Sequence, residues 1–280
     1  MIVKMSKQYE NKLVEFLYKY NNLKEYSVAW MPENYGDICS YDKSDFFIAI
    51  ENDEIVGAFG TYISKEQKLV RLLGPIIDKK YFDRYVDDLY ELSMKELPLD
   101  MKELRIAFFL DNNLCKKWCE VNNFELYNAE KTIVYDKSTF SEEMLNTAAK
   151  LIPYNLNYKE GLALVHPKEV FFTLDELVNR ISDNYKLILA IDEDEVVGYI
   201  YYEISEDMEN GEIVLLHVKE NNRGKGYGTT LLKHTIKIMM GSNVKKISTS
   251  VRVANHGAQK LYERVGFKDY ETIYAYKKQI

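Results

Sequence analysis

The 280-residue chain has few of the residues that mark secreted, membrane or metal-binding proteins. Its three cysteines, Cys39, Cys115 and Cys119, are odd in number, and without an export signal they predict reduced thiols. The four histidines are scattered, and no third ligand lies close in sequence to Cys115 and Cys119, so we predict no metal site. No early apolar run resembles a signal peptide, and no apolar stretch approaches the roughly 20 residues of a membrane-spanning helix. These absences predict a cytoplasmic protein without a membrane partner.

An excess of basic residues is also absent. The formal net charge is −7, with 37 Lys and Arg against 44 Asp and Glu, which argues against a nucleic-acid-binding protein. The acidic balance is compatible with cationic amine substrates. The composition makes no prediction about the oligomeric state.

The length of the chain suits two domains of about 140 residues each. Residues 132–135 have the β-branched pattern of a strand, and residues 138–143 then have the pattern of a capped helix start. We therefore predict a boundary near residues 136–141, with domains 1–137 and 138–280.

Glycine is scarce, with 13 residues, yet three glycines fall within residues 223–228. An apolar run, 213–218, precedes this segment, and a helical pattern, 229–234, follows it. A glycine-rich turn between a strand and a helix presents backbone N–H groups at the positive end of the helix, which suits a phosphate group. The segment predicts that the chain holds a phosphorylated cofactor.

The spacing of these glycines separates the cofactor classes. No glycine is followed by Lys and Ser or Thr as a P-loop requires, and the third glycine comes one residue early for a dinucleotide fingerprint. The pattern that fits is Arg-x-x-Gly-x-Gly, formed by Arg223, Gly226 and Gly228. It resembles the pyrophosphate-binding motif of the GNAT superfamily of acyl-CoA-dependent N-acyltransferases.

A second segment, residues 255–267, is similar to the Asn-x-x-Ala-x-x-Leu-Tyr-x-x-x-Gly-Phe motif of the same family at every signature position. The segment has the pattern of a helix that Asn255 caps and Gly266 ends. The resemblance covers about residues 140–280. It implies an α/β (α+β) fold with a mixed, mostly antiparallel central sheet flanked by helices. It also implies acetyl-CoA as the co-substrate, without a metal.

The resemblance further implies how acetyl-CoA is held. Backbone N–H groups of the glycine-rich turn surround the pyrophosphate, and the side chains of Arg223 and Lys225 lie nearby. Residues 216–218 separate from the neighbouring strand and pair with the pantetheine arm, and the N–H of Val218 points at the thioester oxygen. The implied cofactor-binding residues are Leu216, His217, Val218, Arg223, Gly224, Lys225, Gly226, Tyr227, Gly228, Thr229, Asn255 and Ala258.

The position of Tyr262 in the second motif implies that it is the general acid. A phenol with a pKa near 10 is able to donate to a thiolate whose free thiol has a pKa near 8.5. Glu212 is the candidate base, because period 2 predicts residues 212, 214, 216 and 218 on one face of a strand. His217 is the rival base, although alternation predicts that it points to the opposite face. A water molecule is the third possibility.

The N-terminal half looks like a degenerate copy of the same unit. Residues 49–57 parallel residues 190–198 at an offset of 141, and residues 112–124 parallel residues 255–267 at an offset of 143. Opposite the glycine-rich turn, residues 75–85 contain no glycine, so side chains would fill the space that a pyrophosphate needs. We predict a tandem protein in which 1–137 is a degenerate GNAT-like domain without a cofactor site and 138–280 is the active domain.

The predicted function is transfer of an acetyl group from acetyl-CoA to a primary amine, on a small molecule or a peptide. One alternative is a non-catalytic acyl-CoA-binding or regulatory module. Another is a structural tandem whose N-terminal domain recruits a protein partner. The acceptor pocket is expected around residues 20–45 and 150–180, which include Trp30, Tyr35, Tyr41, Tyr154, Tyr158 and His166.

Overall fold

The computed structural model describes residues 1–32, 34–40, 44–140, 149–167 and 172–280. Tyr41 and the predicted helix start at residues 141–143 lie outside the described residues. The chain divides into two compact units. The N-terminal unit consists of Met1–Glu130 and Glu271–Ile280, and the C-terminal unit consists of Lys131–Tyr270.

The N-terminal unit is a sheet with helices packed against it. Its elements are β1 (Ile2–Lys4), α1 (Glu10–Tyr20), β2 (Ser44–Glu51), β3 (Glu54–Ser64), β4 (Leu69–Ile77), α2 (Phe82–Lys95), β5 (Glu103–Phe109), α3 (Asn113–Val121) and the start of β6 (Glu125–Tyr135). The strand order is β1-β2-β3-β4-β5, and only the β4–β5 pair is parallel. In α2 the buried residues recur at helical spacing, Phe82, Tyr85, Val86, Leu89 and Ser93, which places one face of the helix in the core.

The C-terminal unit has the same architecture. Its further elements are β7 (Lys150–Pro153), α4 (Lys159–Val165), α5 (Leu174–Asn179), β8 (Tyr185–Asp192), β9 (Glu195–Ile204), β10 (Asn210–Val218), α6 (Tyr227–Gly241), β11 (Lys246–Arg252), α7 (His256–Val265) and β12 (Phe267–Gln279). The strand order is β6-β11-β10-β9-β8-β7. The β10–β11 pair is parallel, whereas β7, β8, β9 and β10 pair antiparallel. The predicted mixed, mostly antiparallel sheet flanked by helices is confirmed.

The internal repeat extends to the registers of the strands. Leu69 pairs with Glu103 at the start of β4–β5, and Asn210 pairs with Lys246 at the start of β10–β11, at the offsets that the sequence predicts. The hairpins repeat as well: Asn52 and Asp53 have φ of 48° and 65°, and Glu193 and Asp194 have the same two values. Further, Tyr85 donates a hydrogen bond to Glu51, and Tyr227 donates one to Asp192. The predicted tandem of two like folds is therefore confirmed.

The limits of the units differ from the predicted 1–137 and 138–280. The boundary between the two units falls inside two long strands, between residues 130 and 131 in β6 and between residues 270 and 271 in β12. From Ile273 onwards β12 pairs antiparallel with β5, so the last ten residues group with the N-terminal unit. A boundary predicted from local strand and helix patterns divides a chain into continuous segments and misses such a strand.

Two further findings bear on the expected class of protein. Cys115 and Cys119 are free and buried, as small hydrophobic core residues are, and burial raises the pKa of the Cys115 thiol. Within the described ranges, no helix has the length and hydropathy needed to span a bilayer.

Candidate active site

The glycine-rich turn leads directly into α6. Gly224 and Gly226 have φ of 81° and 91°, in the left-handed region where a side chain is strained, and Gly226 is the N-cap of the helix. The first backbone N–H groups of a helix have no acceptor within it, and here they belong to Tyr227, Gly228 and Thr229. The turn therefore presents free donors at the positive end of a 15-residue helix, as a phosphate requires.

A cleft of about 480 Å³ opens in front of this turn. All predicted cofactor-binding residues line it except Lys225, which is exposed and does not reach it. Tyr227 contributes by its backbone, since its ring is buried and its hydroxyl donates to Asp192. The cleft also contains four residues outside the predicted cofactor-binding set, Asn222, Gly257, Leu261 and Arg264, of which Leu261 is a position of the second motif.

Arg264 is the chemically important addition, because it brings a second guanidinium to the cleft besides that of Arg223. It lies in the last turn of α7, and its Nε donates to the carbonyl of Lys260 at 3.1 Å. The sequence signal was available, since Arg264 follows Leu261 by three residues and therefore shares a helix face with it. Both arginines carry a charge that suits a phosphate ligand.

One edge of β10 is open beside the cleft. Its register with β11 covers only Asn210–Ile213, opposite Lys246–Thr249, while β10 itself continues to Val218. Within the described ranges no β11 partner is recorded beyond Ile213, so the two strands separate there. On its other side β10 stays paired with β9 as far as Val218. Leu216, His217 and Val218 line the cleft at this open edge, and the carbonyl of Val218 accepts from Arg223 Nε at 3.2 Å.

A bulge in β10 overturns the predicted alternation. Ile213 pairs with Tyr202 and Leu215 pairs with Tyr201, which leaves Val214 as an extra residue. One extra residue exchanges the two faces of a strand from that point on. The prediction that residues 212, 214, 216 and 218 share a face is therefore wrong.

The registers show which residues share the face of Glu212. Glu212 pairs with Glu203 and His217 pairs with Tyr199, and these two β9 residues alternate onto the same side of the sheet. His217 thus lies on the face of Glu212, whereas Leu216, opposite Ile200, lies on the other. The predicted separation of the two rival bases onto opposite faces is wrong for the same reason, the bulge.

Tyr262 lies near the point where β10 and β11 separate. It is 6 % exposed, and burial raises the pKa of its phenol to about 12, while an interaction with the Thr249 side chain opposes this shift. Thr249 Oγ1 in turn donates to the carbonyl of Ile213 at 2.7 Å, at the last paired position of the two strands. The Tyr262 ring packs edge-on against Phe267, with 5.2 Å between the ring centroids.

The helix that carries Tyr262 has the predicted ends. The side chain of Asn255 accepts a hydrogen bond from the N–H of Ala258 at 3.1 Å, which caps the first turn of α7. Gly266 ends the helix with φ of 111°. The predicted helix, initiated by Asn255 and closed by Gly266, is confirmed.

The two candidate bases differ in their electrostatics. Glu212 is exposed, yet nearby protein displaces part of its water, and this desolvation together with the charge of Glu203 raises the pKa of its carboxyl. Burial, followed by the charges of Arg223 and His166, lowers the pKa of His217. Both shifts favour the uncharged form of the side chain. The raised pKa makes Glu212 a stronger proton acceptor, whereas the lowered pKa makes His217 a weaker one.

A ring contact and two hydrogen bonds connect His217 with the core of this face. The rings of His217 and Tyr199 lie 6.2 Å apart, and the Tyr199 hydroxyl lies 2.8 Å from Nδ1 of His166. His166 Nε2 lies 2.8 Å from the carbonyl of Phe172, which only accepts, so Nε2 carries a proton. In a neutral His166, Nδ1 then accepts the Tyr199 proton.

The residues expected around the acceptor are distributed over both units. Tyr154, Tyr158 and His166 belong to the C-terminal unit, where the first two pack at the edge of the cluster that contains Tyr199 and Tyr201. Trp30 and Tyr35 belong to the N-terminal unit.

As for metals, the described part of the chain contains no group of three or more His, Cys, Asp or Glu side chains able to hold an ion.

The C-terminal part of the chain matches a known family. Residues 155–267 match the sequence model described as Acetyltransferase (GNAT) family. This match identifies a GNAT acetyltransferase domain in residues 155–267, and the relatives and solved structures below agree with it.

Two curated relatives illustrate the similarity in sequence. An N-alpha-acetyltransferase of Saccharolobus solfataricus is 35 % identical over 99 residues, which are 31 % of this chain and 59 % of that protein. A putative [ribosomal protein bS18]-alanine N-acetyltransferase of Bacillus subtilis is 29 % identical over 99 residues, 35 % of this chain and 64 % of that protein. The chain thus spans about six tenths of the length of these relatives.

Two solved structures share the fold over the whole chain. A GCN5-related N-acetyltransferase from Sphaerobacter thermophilus has a TM-score of 0.63 at 10 % identity and covers 99 % of this chain and 95 % of its own. A tandem GNAT protein from the clavulanic acid biosynthesis pathway has a TM-score of 0.61 at 12 % identity. It covers 100 % of this chain and 98 % of its own. At these identities the likeness establishes the fold alone, which is that of a tandem GNAT protein.

Proposed function

We propose that the C-terminal unit transfers an acetyl group from acetyl-CoA to a primary amine. The observation that carries the proposal is the cleft itself, in which a helix N-terminus with free donors adjoins a strand edge with free backbone groups. A phosphate group suits the first feature, and an extended chain with amide groups suits the second. Acetyl-CoA combines both chemistries in one molecule and supplies the activated acetyl group as a thioester.

Residues of the turn and of α7 would hold the phosphates. The N–H groups of residues 226–229 and the guanidinium groups of Arg223 and Arg264 supply donors and positive charge. The backbone of residues 214–218 would hold the pantetheine arm along the open edge of β10. The N–H of Val218 remains our proposed donor to the thioester oxygen, in the role of an oxyanion-hole donor.

Two protons have to move during the transfer, and the unit has a residue for each. Tyr262 Oη is the proposed proton donor for the leaving sulfur, since its raised pKa keeps the phenol protonated at neutral pH. Glu212 is the proposed acceptor of the amine proton, directly or through water, since its raised pKa makes it a stronger base than an ordinary carboxylate. His217 and water remain the alternatives, and the bulge supports His217 more than the sequence did, because it turns the imidazole to the face of Glu212.

A peptide with a free α-amine is the first acceptor to test. The relatives from Saccharolobus solfataricus and Schizosaccharomyces pombe are named N-alpha-acetyltransferase and N-alpha-acetyltransferase 30. Small amines form the second group, because the unit lies in a tandem chain that those relatives match only in part.

The N-terminal unit, in our proposal, has the fold without the cofactor site. Its strands β4 and β5 also separate, after Arg71 and Arg105, but the unit fills this gap with its own chain. Val28 forms a bridge with Phe108, and the N–H of Ala29 donates to the carbonyl of Ala107 at 2.7 Å. Asn112, the cap of α3, further holds the segment by donating to the carbonyl of Ser27. Residues 27–29 thus pair with β5, the equivalent of β11, on the side where it separates from β4.

The proposal is tested by release of free CoA thiol from acetyl-CoA in the presence of amines. The panel contains a short peptide with a free α-amine, a lysine peptide with a blocked N-terminus, a polyamine and an amino sugar. Turnover with any of them supports the enzyme, and the acetylated product identifies the nitrogen. Tight acetyl-CoA binding without turnover across the panel supports the alternative, a non-catalytic acyl-CoA-binding module.

A further inference from the structure

Glu203 and Glu212 form a pair of like charges across the sheet. They are direct partners in the antiparallel register of β9 and β10, so their side chains leave the sheet next to each other on one face. The same row continues to Tyr185 on β8 and to Ser248 on β11. The row therefore consists of a phenol, two carboxylates and a hydroxyl.

Such a pair destabilises a sheet unless a positive charge offsets it. Across the described ranges, no Lys, Arg or His side chain forms an ion pair with either carboxylate. Among the nearby cations, Lys246 lies over the Tyr270 ring at 4.3 Å, and Arg180 lies over the rings of Phe172 and Tyr185. The positive charge that would compensate Glu203 and Glu212 therefore has to come from outside this row.

The internal repeat shows that the fold does not require two acids here. The positions equivalent to Glu203 and Glu212 in the N-terminal unit are Tyr62 and Arg71, which pair in the register of β3 and β4. An acidic pair thus occurs in the unit that has the open cleft, whereas the unit whose gap is filled has a tyrosine and an arginine. This contrast connects the acidic pair with the chemistry of the cleft.

We propose that Glu203 is a positioning residue that acts through Glu212: its charge strengthens Glu212 as a proton acceptor and helps to attract the ammonium form of the acceptor. The inference rests on the proposed function, in which Glu212 takes the proton of the amine. Binding of the cationic acceptor offsets the repulsion in the pair. Loss of a proton from the ammonium to Glu212 leaves the neutral amine that attacks the thioester carbon.

The position of Glu203 is what distinguishes it from the other groups on this face. It adjoins Glu212 in the register, and its charge contributes to the raised pKa of the Glu212 carboxyl. Other titratable groups of this face include Tyr185 on β8, Tyr199 and Tyr201 on β9, His217 on β10 and Lys246 on β11. The segments packed on it contribute Tyr154, Tyr158, His166 and Arg180.

The test compares Glu203→Gln with wild type and with Glu206→Gln, which removes the same charge from an exposed position three residues further on. The ¹³C NMR titration of the side-chain carboxyls reads Glu212 directly, with its signal assigned by its loss in Glu212→Gln. We expect Glu212 to titrate at lower pH in Glu203→Gln and at an unchanged pH in Glu206→Gln. Glu203→Asp, which keeps the charge, should restore the wild-type titration in part.

Kinetics with acetyl-CoA and a short peptide bearing a free α-amine provide the second readout. In Glu203→Gln the KM for the peptide should rise about threefold, as for the loss of one exposed charge pair. The KM for acetyl-CoA should stay unchanged, and the acid limb of kcat/KM should move to lower pH together with the NMR titration.

The inference is overturned if Glu212 titrates at the same pH in Glu203→Gln, Glu206→Gln and wild type. A different result would contradict the role of Glu212 as the base. In that case Glu212→Gln would keep the wild-type kcat and the wild-type acid limb of kcat/KM. The two failures are distinguishable, because the NMR titration reports the coupling of the two carboxyls without any turnover.

Discussion

Glu212 and His217 lie on the same face of β10, because the extra residue of the bulge, Val214, stands between them. Both side chains are thereby directed to the side of the sheet on which α4 and α5 pack against Tyr199 and Tyr201. The pKa of Glu212 is raised and that of His217 is lowered, so near neutral pH the imidazole is largely neutral and Glu212 is a stronger proton acceptor than an ordinary carboxylate. Two proton acceptors therefore compete for one role, and mutation separates them.

We expect Glu212→Gln to lower kcat/KM by about 10²-fold, the usual size of a lost general base, and His217→Gln to lower it by less than tenfold. Since Glu212 acts deprotonated and its pKa is raised, activity should fall as pH decreases through that raised pKa, at higher pH than for an ordinary carboxylate. The measurement is kcat/KM against pH for the three proteins. A larger loss in His217→Gln, with the acid limb removed, would assign the base to the imidazole.

One molecule of acetyl-CoA should bind per chain. The N-terminal unit fills the gap between β4 and β5 with residues 27–29, and its segment 75–85 has no glycine to bring a backbone close to a phosphate. Titration calorimetry of the full chain with acetyl-CoA checks the stoichiometry. Two equivalent sites per chain would show that the N-terminal unit retains a cofactor site.

Gly226→Val should weaken acetyl-CoA binding at least tenfold, or about 1.4 kcal/mol. The left-handed φ of 91° at this helix N-cap disfavours a β-branched residue, and the valine side chain would enter the space in front of the helix donors. Gly241→Val is the matched control, since Gly241 ends the same helix, has no positive φ and has open space where its Cβ would lie. Equal affinities of the two folded variants would contradict the phosphate-binding role of the turn.

The sequence predicted the parts of the site that depend on local chemistry. Few residue types adopt a positive φ without strain, so the glycines at positions 224 and 226 indicate the turn. Few residue types cap a helix N-terminus well, so Asn255 indicates the start of α7. The bulge at Val214 had no such signal, since any residue fits an extra position in a strand and its presence depends on the register with β9. The predicted alternation of residues 212, 214, 216 and 218 is therefore interrupted at Val214. The grouping of the last ten residues with the N-terminal unit was not predicted for a similar reason, because the sequence of a strand does not specify which strand it pairs with.

Asp136 should stabilise the C-terminal unit in a pH-dependent manner. Hydrogen bonds from Lys268 Nζ and from the hydroxyl and N–H of Ser138 lower the pKa of its carboxyl from 3.8 to about 2. A depressed folded-state pKa stabilises above the unfolded value, so the contribution is complete above pH of about 4 and disappears as pH falls through about 2. Asp136→Asn should therefore lower Tm at pH 7, and the difference from wild type should narrow below pH 3. A difference that stays the same in thermal unfolding at both pH values would contradict this assignment.

Tyr262→Phe should lower kcat by about 10²-fold or more and leave the affinity for acetyl-CoA nearly unchanged. The ring is buried against Phe267, so the substitution keeps the packing and removes only the hydroxyl near Thr249. The loss should be the same for every accepted amine, because the leaving sulfur is common to all of them.

Tyr135→Phe is the matched control for this experiment. Tyr135 also contacts Phe267, with ring centroids 5.4 Å apart, and it is similarly buried, but it belongs to β6 and does not line the cleft. Single-turnover measurements establish whether chemistry limits kcat in each protein. If chemistry is limiting and Tyr262→Phe turns over as fast as Tyr135→Phe, the phenol is not the acid. The proton would then reach the sulfur from water. The buried Tyr262, with its raised pKa, would contribute to packing alone.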